Sequence, residues 1–266
     1  MNIVVCIKQV PDTTEVKVNP ETNTLIREGV DAIVNPFDTY AIEEAVRLRD
    51  KFGGKVTVMT MGPPQAEAAL RQALSVGADS AILISDRAFA GSDTWSTSLI
   101  LSKALEKIKE AEGVDLVICG KQASDGDTAQ VGPGIATHLD LPQATYVRRI
   151  DTVHLDSSPK IIVVERLVEE GYEMIEVQLP ALITVVKEIN EPRMPSLRGK
   201  MKARSAEIVV WKNSDLAIKE NEIGLEGSPT QVVKIFSPPK KEGGKVFQGE
   251  PEDAVDELVE EIKDIL

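Results

Sequence analysis

Four short apolar runs, each but the last followed by a stretch of helical periodicity, constrain this chain more than any other feature. The runs are Asn2 to Ile7, Lys55 to Met61, Ser80 to Ile84 and Val114 to Cys119, and between them helices are expected near Asp38 to Lys51, Pro64 to Val76 and Thr94 to Glu110. Alternation of this kind specifies parallel strands joined by crossover helices. A strand buried on both faces reads as a continuous apolar run, as Val114 to Cys119 does. The expected fold is therefore α/β, a doubly wound, mainly parallel sheet of the Rossmann-like kind. In such sheets ligands bind beyond the carboxyl ends of the strands, where strand order reverses.

Three connections stand at such ends: Lys8 to Asp12, Gly62 to Pro64, and Gly120 to Gln130. The third carries the most chemistry. Gly120-Lys121-Gln122-Ala123-Ser124-Asp125-Gly126-Asp127-Thr128-Ala129-Gln130-Val131-Gly132-Pro133-Gly134 leaves a buried strand and opens a helix. Asp127 and Thr128 are good caps, and a helix beginning near them would aim free amides and its positive dipole end into the cleft. A pyrophosphate suits that position. Ser, Asp and Gly are also ordinary turn chemistry, and the chain holds neither a G-x-G-x-x-G nor a G-x-x-x-x-G-K-[ST] pattern. Asn35-Pro36-Phe37-Asp38-Thr39 is a candidate fourth wall; by itself it reads as a plain helix start, with Pro36 fixing the entry and Asp38 or Thr39 capping. On that helix Ala41, Ala45, Val46 and Leu48 share a face, and Glu43, Glu44, Arg47 and Arg49 are expected on solvated surface.

Beyond roughly residue 140 the apolar period becomes two. Gln143 to Leu155, Lys160 to Val168 and Tyr172 to Gln178 read as antiparallel strands, the last two joined by a turn at Glu169-Glu170-Gly171, and Ala181 to Val186 reads as another buried strand. One α/β nucleotide-binding domain is expected over 1–190. Residues 191–236 form a cation-rich loop and following segment, and 237–266 a linker with a C-terminal amphipathic helix from Pro251. Ala254, Leu258, Ile262 and Leu266 repeat every four residues beside Val255 and Val259. A helix on a tether cannot bury that stripe against itself; it packs on its own domain or on a partner, and the linker favours a partner-binding arm.

The net charge of −13 argues against nucleic acid or an anionic membrane surface as partner, and no run approaches membrane-spanning length. No secretory pattern opens the chain, so cytoplasm is the expected location. Cys6 and Cys119 each end an apolar run and are expected as reduced, buried side chains. His138 and His154 have no Cys, Asp or Glu at ligand spacing, and no metal site or catalytic side chain is expected.

Taken together these segments resemble the small, beta subunit of electron transfer flavoproteins over essentially the whole chain. Val5-Cys6-Ile7-Lys8 looks like the family's opening strand, Asn35-Pro36-Phe37 like its helix entry and Gly120-Lys121-Gln122-Ala123 like its nucleotide loop. Val164-Glu165-Arg166, then Glu169-Glu170-Gly171, Glu173 and Pro180-Ala181-Leu182-Ile183-Thr184, is similar to the subunit's signature, and Glu191-Pro192-Arg193 with Leu197 resembles its docking loop for partner dehydrogenases. The resemblance implies a heterodimer with an alpha subunit carrying a redox-active FAD. In ordinary members the beta site holds structural AMP, with a run of acidic residues and an Asn in the loop. Gly126, Thr128, Ala129 and Val131 with Gly132-Pro133 depart from that pattern and resemble the electron-bifurcating branch, in which a second FAD replaces AMP and accepts hydride from NADH.

Carried over residue by residue, the implied nucleotide site comprises Cys6, Asn35, Pro36, Phe37, Asp38, Met61, Gly120, Lys121, Gln122, Ala123, Ser124, Asp125, Gly126, Asp127, Thr128, Ala129, Gln130 and Val131, with Leu197 as the partner-docking residue. In this assignment Lys121 offsets pyrophosphate charge. Gln122, Ser124, Thr128 and Gln130 can donate hydrogen bonds, and Asp125 and Asp127 can accept them. Hydride and electron chemistry would belong to the flavin. The acceptor the resemblance implies is an acyl-CoA dehydrogenase or a quinone-linked enzyme, or ferredoxin together with either; the sequence does not name which. A nucleotide-binding regulatory module is the reading from another class, against which the docking loop and terminal helix argue.

Overall fold

The computed structural model describes residues 1–12, 32–233 and 243–263, which fall into two compact units: the first two ranges form one and the third belongs to the other. In the first unit β1 (Asn2–Cys6) is an interior strand of the main sheet, and β2 (Gln9–Pro11) and β3 (Ala32–Val34) make a separate antiparallel ribbon. Then follow α1 (Pro36–Phe52), β4 (Lys55–Met61), α2 (Glu67–Val76), β5 (Ser80–Ile84), α3 (Thr94–Glu112), β6 (Leu116–Gly120) and α4 (Val131–His138). After these come β7 (Gln143–His154), β8 (Ile161–Val168), β9 (Gly171–Gln178), β10 (Ala181–Val185), α5 (Leu197–Ser205), β11 (Val209–Trp211) and α6 (Asn213–Leu216). The second unit contains α7 (Pro251–Ile262). Residues 237–242 of the expected linker, and Leu266 of the expected stripe, lie outside the described residues.

The main sheet has nine strands in the order β11-β5-β4-β1-β6-β10-β7-β8-β9, so the chain reverses direction of travel at β1 between β4 and β6. That is where a doubly wound sheet opens its cleft. Pairing is parallel from β11 through β7 and antiparallel only at β7–β8 and β8–β9. The expectation that Gln143 to Leu155 is antiparallel is thus half corrected. One edge of β7 runs parallel to β10, while the other takes the β8–β9 hairpin. Sequence periodicity cannot choose between the two, because both pairings demand the same alternation. β11 pairs with β5 at the far edge and brings residues beyond 190 into the same sheet.

Successive β1 side chains point to opposite faces. Ile3 and Val5 pack with Ala41, Ala45 and Val46 of α1 and Leu70 of α2, while Val4 and Cys6 pack with Ile100 and Leu105 of α3 and Ile135 of α4. All five β10 residues are buried, so truncating Ile183 to Ala there should cost about 2–5 kcal/mol. Glycine allows α4 to lie this close. A Cβ on Gly132 would sit 2.6 Å from Thr184 Cγ2, and one on Gly134 would run into Ser98.

Glu43 and Glu44 are not solvated surface as expected: both are buried, Glu43 at 4% exposure. Glu43 accepts from Arg47 Nε at 2.6 Å and from Arg193 Nε at 2.8 Å, and Glu44 accepts from Asn190 Nδ2 at 3.0 Å. Buried carboxylates persist only with such partners. Arg47 is one helical turn away, but Arg193 and Asn190 stand 150 and 146 residues away in sequence, which is why helical spacing alone misplaces the two acids.

Candidate functional site

The carboxyl ends of β1, β4 and β6 meet at one edge of the cleft. Lys8 Nζ, just after β1, bonds Asp125 Oδ1 at 2.7 Å in the loop after β6, and Gln9 Nε2 donates to Gln65 O after β4 at 3.2 Å. The connections singled out by position are thereby joined in space. The loop between β6 and α4 is pinned at its start by Lys121 N–H to Val185 O at 2.9 Å and turns back through Asp127 N–H to Ala123 O at 2.9 Å. Asp127 (φ 51°) and Ala129 (φ 54°) adopt the left-handed conformation. Such non-glycine outliers concentrate at functional sites.

The helix after this loop starts later than expected. α4 begins at Val131, Gln130 stands at its N-cap position, and neither Asp127 nor Thr128 caps it. Gln130 makes no side-chain cap bond; its Oε1 accepts instead from Thr94 Oγ1 at 2.8 Å. The first amides of a helix have no intrahelical partner, and without a side-chain cap they remain available to an anion. Thr94 gives no signal in the sequence, being one more hydroxyl at a helix start.

The entry to α1 differs from the expected capped start as well. Asn35, buried at 1% exposure, occupies the N-cap position without capping the helix, and neither Asp38 nor Thr39 does so. Asn35 Nδ2 donates to Asp38 Oδ1 at 3.0 Å and to Gln122 O at 2.8 Å, and its Oδ1 accepts from Ser124 N–H at 3.0 Å. Asp38 Oδ2 accepts from Lys8 N–H at 2.7 Å. A Cβ on Gly120 would collide with Asp38 Oδ1 and the Phe37 backbone, so only glycine lets β6 approach α1 this closely. Burial pushes the Asp38 carboxyl up to about 7 against the downward pull of the Asn35, Lys8 and Gly120 donors.

Cys6 and Cys119 are free, buried and opposite one another in the β1–β6 register. Hydrogen bonding to Cys119, followed by burial, pushes the Cys6 thiol well above its ordinary value. Lys121 Nζ lies 4.9 Å from the centre of the Tyr146 ring and 5.9 Å from that of Phe37. Tyr146 is itself left-handed (φ 60°), and its amide donates to Thr184 Oγ1 at 3.1 Å. Nothing in its strand-like surroundings announces that conformation. Met61 ends β4, half-buried beside the cleft, and Ser124 through Thr128 are exposed on the loop.

A nucleotide fits this set. The α4 start and the loop amides suit phosphate, the exposed Ser124–Thr128 groups suit ribose or base edges, and a Cβ on Gly126 would meet nothing within 4 Å. A cavity of about 220 Å³ lies at the other, amino end of the strands, lined by Leu105, Val117, His138, Leu141 and Ala181. Ligands of doubly wound sheets take the carboxyl end, so the loop and not this cavity is the candidate site. His138 closes α4 with its ring centre 4.7 Å from that of Trp95.

The docking-loop residues lie elsewhere. Leu197 opens α5 and is not in a loop; Ser196 caps the helix by accepting from Gly199 N–H at 2.9 Å. Leu197 is 77% exposed, beside Met194 at 87% and Met201 at 65%. Arg193, in the same segment, is ion-paired with Glu43 and, at 3.2 Å, with Asp50 Oδ2.

Comparison with known proteins bears directly on this architecture. The family model described as electron transfer flavoprotein domain matches residues 22–216. The chain belongs to the electron transfer flavoprotein family. It is 54% identical over 263 residues to the electron transfer flavoprotein subunit beta of Thermoanaerobacterium thermosaccharolyticum, covering 98% of each chain. It is similar also to Protein FixA of Azotobacter vinelandii, at 53% identity over 95% of this chain and 90% of that one. Identity to the caffeyl-CoA reductase-Etf complex subunit CarD of Acetobacterium woodii is 51%, over 94% of this chain and 92% of that one. Among the described residues no helix is long and apolar enough to cross a membrane.

Proposed function

We propose that this chain is the beta subunit of a heterodimeric electron transfer flavoprotein and that its cleft binds FAD. In this reading the complex carries out NADH-linked electron bifurcation, delivering electrons to a partner dehydrogenase or quinone-linked enzyme and to a low-potential carrier such as ferredoxin. The observation that carries the reading is the uncapped start of α4 beside an open, glycine-containing loop at the strand-order reversal. FAD, when bound, supplies the electron-accepting ring. The chain's residues bind and orient it. Loop amides and the α4 start hold the pyrophosphate, Asp125 and Asp127 accept from hydroxyls, and Phe37, Lys121 and Tyr146 wall the cleft on the α1 side.

The alpha subunit is the partner of α7, whose Val255, Leu258 and Val259 are exposed. The acceptor enzyme docks on Met194, Leu197 and Met201. The cytoplasm is the proposed location. Acid extraction of the purified complex tests the cofactor: FAD from both subunits is expected, and recovery of AMP in equimolar amount with a single FAD would replace bifurcation with a structural nucleotide and single-path transfer.

A further inference from the structure

Asn35 and Asp38 stand beneath the loop with their polar atoms already engaged. Asn35 spends its amide on Asp38, Gln122 and Ser124, and Asp38 accepts from Lys8 and Asn35. At 1% and 5% exposure they have little surface to offer a ligand. The pair nevertheless joins four elements of the cleft: the exit of β1 at Lys8, the exit of β6 at Gly120, the loop at Gln122 and Ser124, and the start of α1. We propose that Asn35 and Asp38 are positioning residues that clamp the Gly120–Gln130 loop against β1 and α1, and so set nucleotide affinity without contacting the nucleotide. The inference rests on the nucleotide reading of the cleft and deepens it.

The electrostatics favour this role. With donors from Lys8 and Asn35 aimed at it, the carboxyl group serves the clamp as an acceptor. A proton on Asp38 turns one acceptor oxygen into a donor facing another donor. Burial brings that protonation to about pH 7. The groups facing Asp38 are few. Lys8, from the β1 exit, is ion-paired with Asp125, and Lys121, from the loop, lies over Phe37. Cys6 of β1 hydrogen-bonds Cys119 of β6 and is pushed upward, so its thiol keeps its proton. One turn along α1, Glu43 is held by Arg47 and Arg193. Burial of Asp38 is what brings a change of charge near neutrality into the clamp.

The test is calorimetric titration of the full chain, stripped of bound nucleotide, with AMP and separately with FAD, from about pH 6 to about pH 8. Asn35→Ala and Asp38→Asn are expected to weaken binding about tenfold at the upper end. The wild-type advantage over Asp38→Asn should shrink as pH falls through about 7. Thermal melting at each pH accompanies the titrations. If both variants bind like wild type, or if their loss of affinity is the same at every pH and follows the loss of melting temperature, the pair only holds the fold and the inference is overturned. Binding of neither nucleotide by the wild-type chain overturns the inference and the reading of the cleft together.

Discussion

The loop Gly120–Gln130 and the segment Asn190–Ser205 are both polar excursions from the same sheet, yet they are anchored and dressed in opposite ways. The first is tied down from below by the buried Asn35 and Asp38 and presents hydrogen-bonding groups from Ser124 to Thr128. The second is tied by Arg193 to Glu43 and Asp50, with Arg71 donating to Ala203 O at 2.6 Å, and presents Met194, Leu197 and Met201 to solvent. A surface that offers polar groups over a rigid polar floor suits a small charged ligand. Three exposed apolar side chains on a braced segment suit a protein, because the bracing limits the entropy lost on docking. The two regions should accordingly fail independently.

The largest effect is expected from Gly126→Val combined with Asp127→Lys, which fills the open space and reverses a charge on the loop. Nucleotide content of the purified protein should fall about tenfold or more while melting temperature barely moves, the residues being exposed. Unchanged stoichiometry removes the loop from the site. Next in size is truncation after Ser237, which deletes α7. Loss of several apolar contacts should raise the heterodimer dissociation constant on the order of tenfold or more in analytical ultracentrifugation. A constant that does not move means that α7 is not the anchor.

Glu43→Gln probes the bracing of the second region. Burial alone would raise the Glu43 carboxyl, but hydrogen bonds from Arg193 and Arg47 outweigh it and hold the carboxyl below its ordinary value of 4.5. Because its folded value is depressed, its stabilising contribution is present above 4.5 and disappears as pH falls below that value. The variant should lose about 1–3 kcal/mol in urea melts at neutral pH and show a flatter acid limb than wild type. A steeper limb would contradict the assignment. The smallest effect belongs to Leu197→Ala: electron transfer to the acceptor should slow about tenfold or less, with nucleotide content and melting temperature intact. Should stability drop along with transfer, Leu197 supports its own helix; should neither change, it takes no part in docking.

What the amino-acid order determined by itself is local. The apolar runs that became β1, β4, β5 and β6, the helical faces of α1, α2 and α3, the glycine-rich exit of β6 and the β8–β9 turn are all readable because burial imposes periods of two or 3.6 on neighbouring residues. The candidate nucleotide loop was legible for the same reason, as a polar stretch following a strand buried on both faces.

Tertiary structure alone decided what joins distant positions. It paired β7 parallel to β10 and added β11 to the far edge. It buried Glu43 under Arg193, placed Leu197 on a capped helix and joined Asn35 to Gln122 and Ser124 as well as to Asp38 of its own helix. A carboxylate on a helix face looks the same in sequence whether solvent or a guanidinium meets it. The energy that separates the two comes from partners brought close only by the fold.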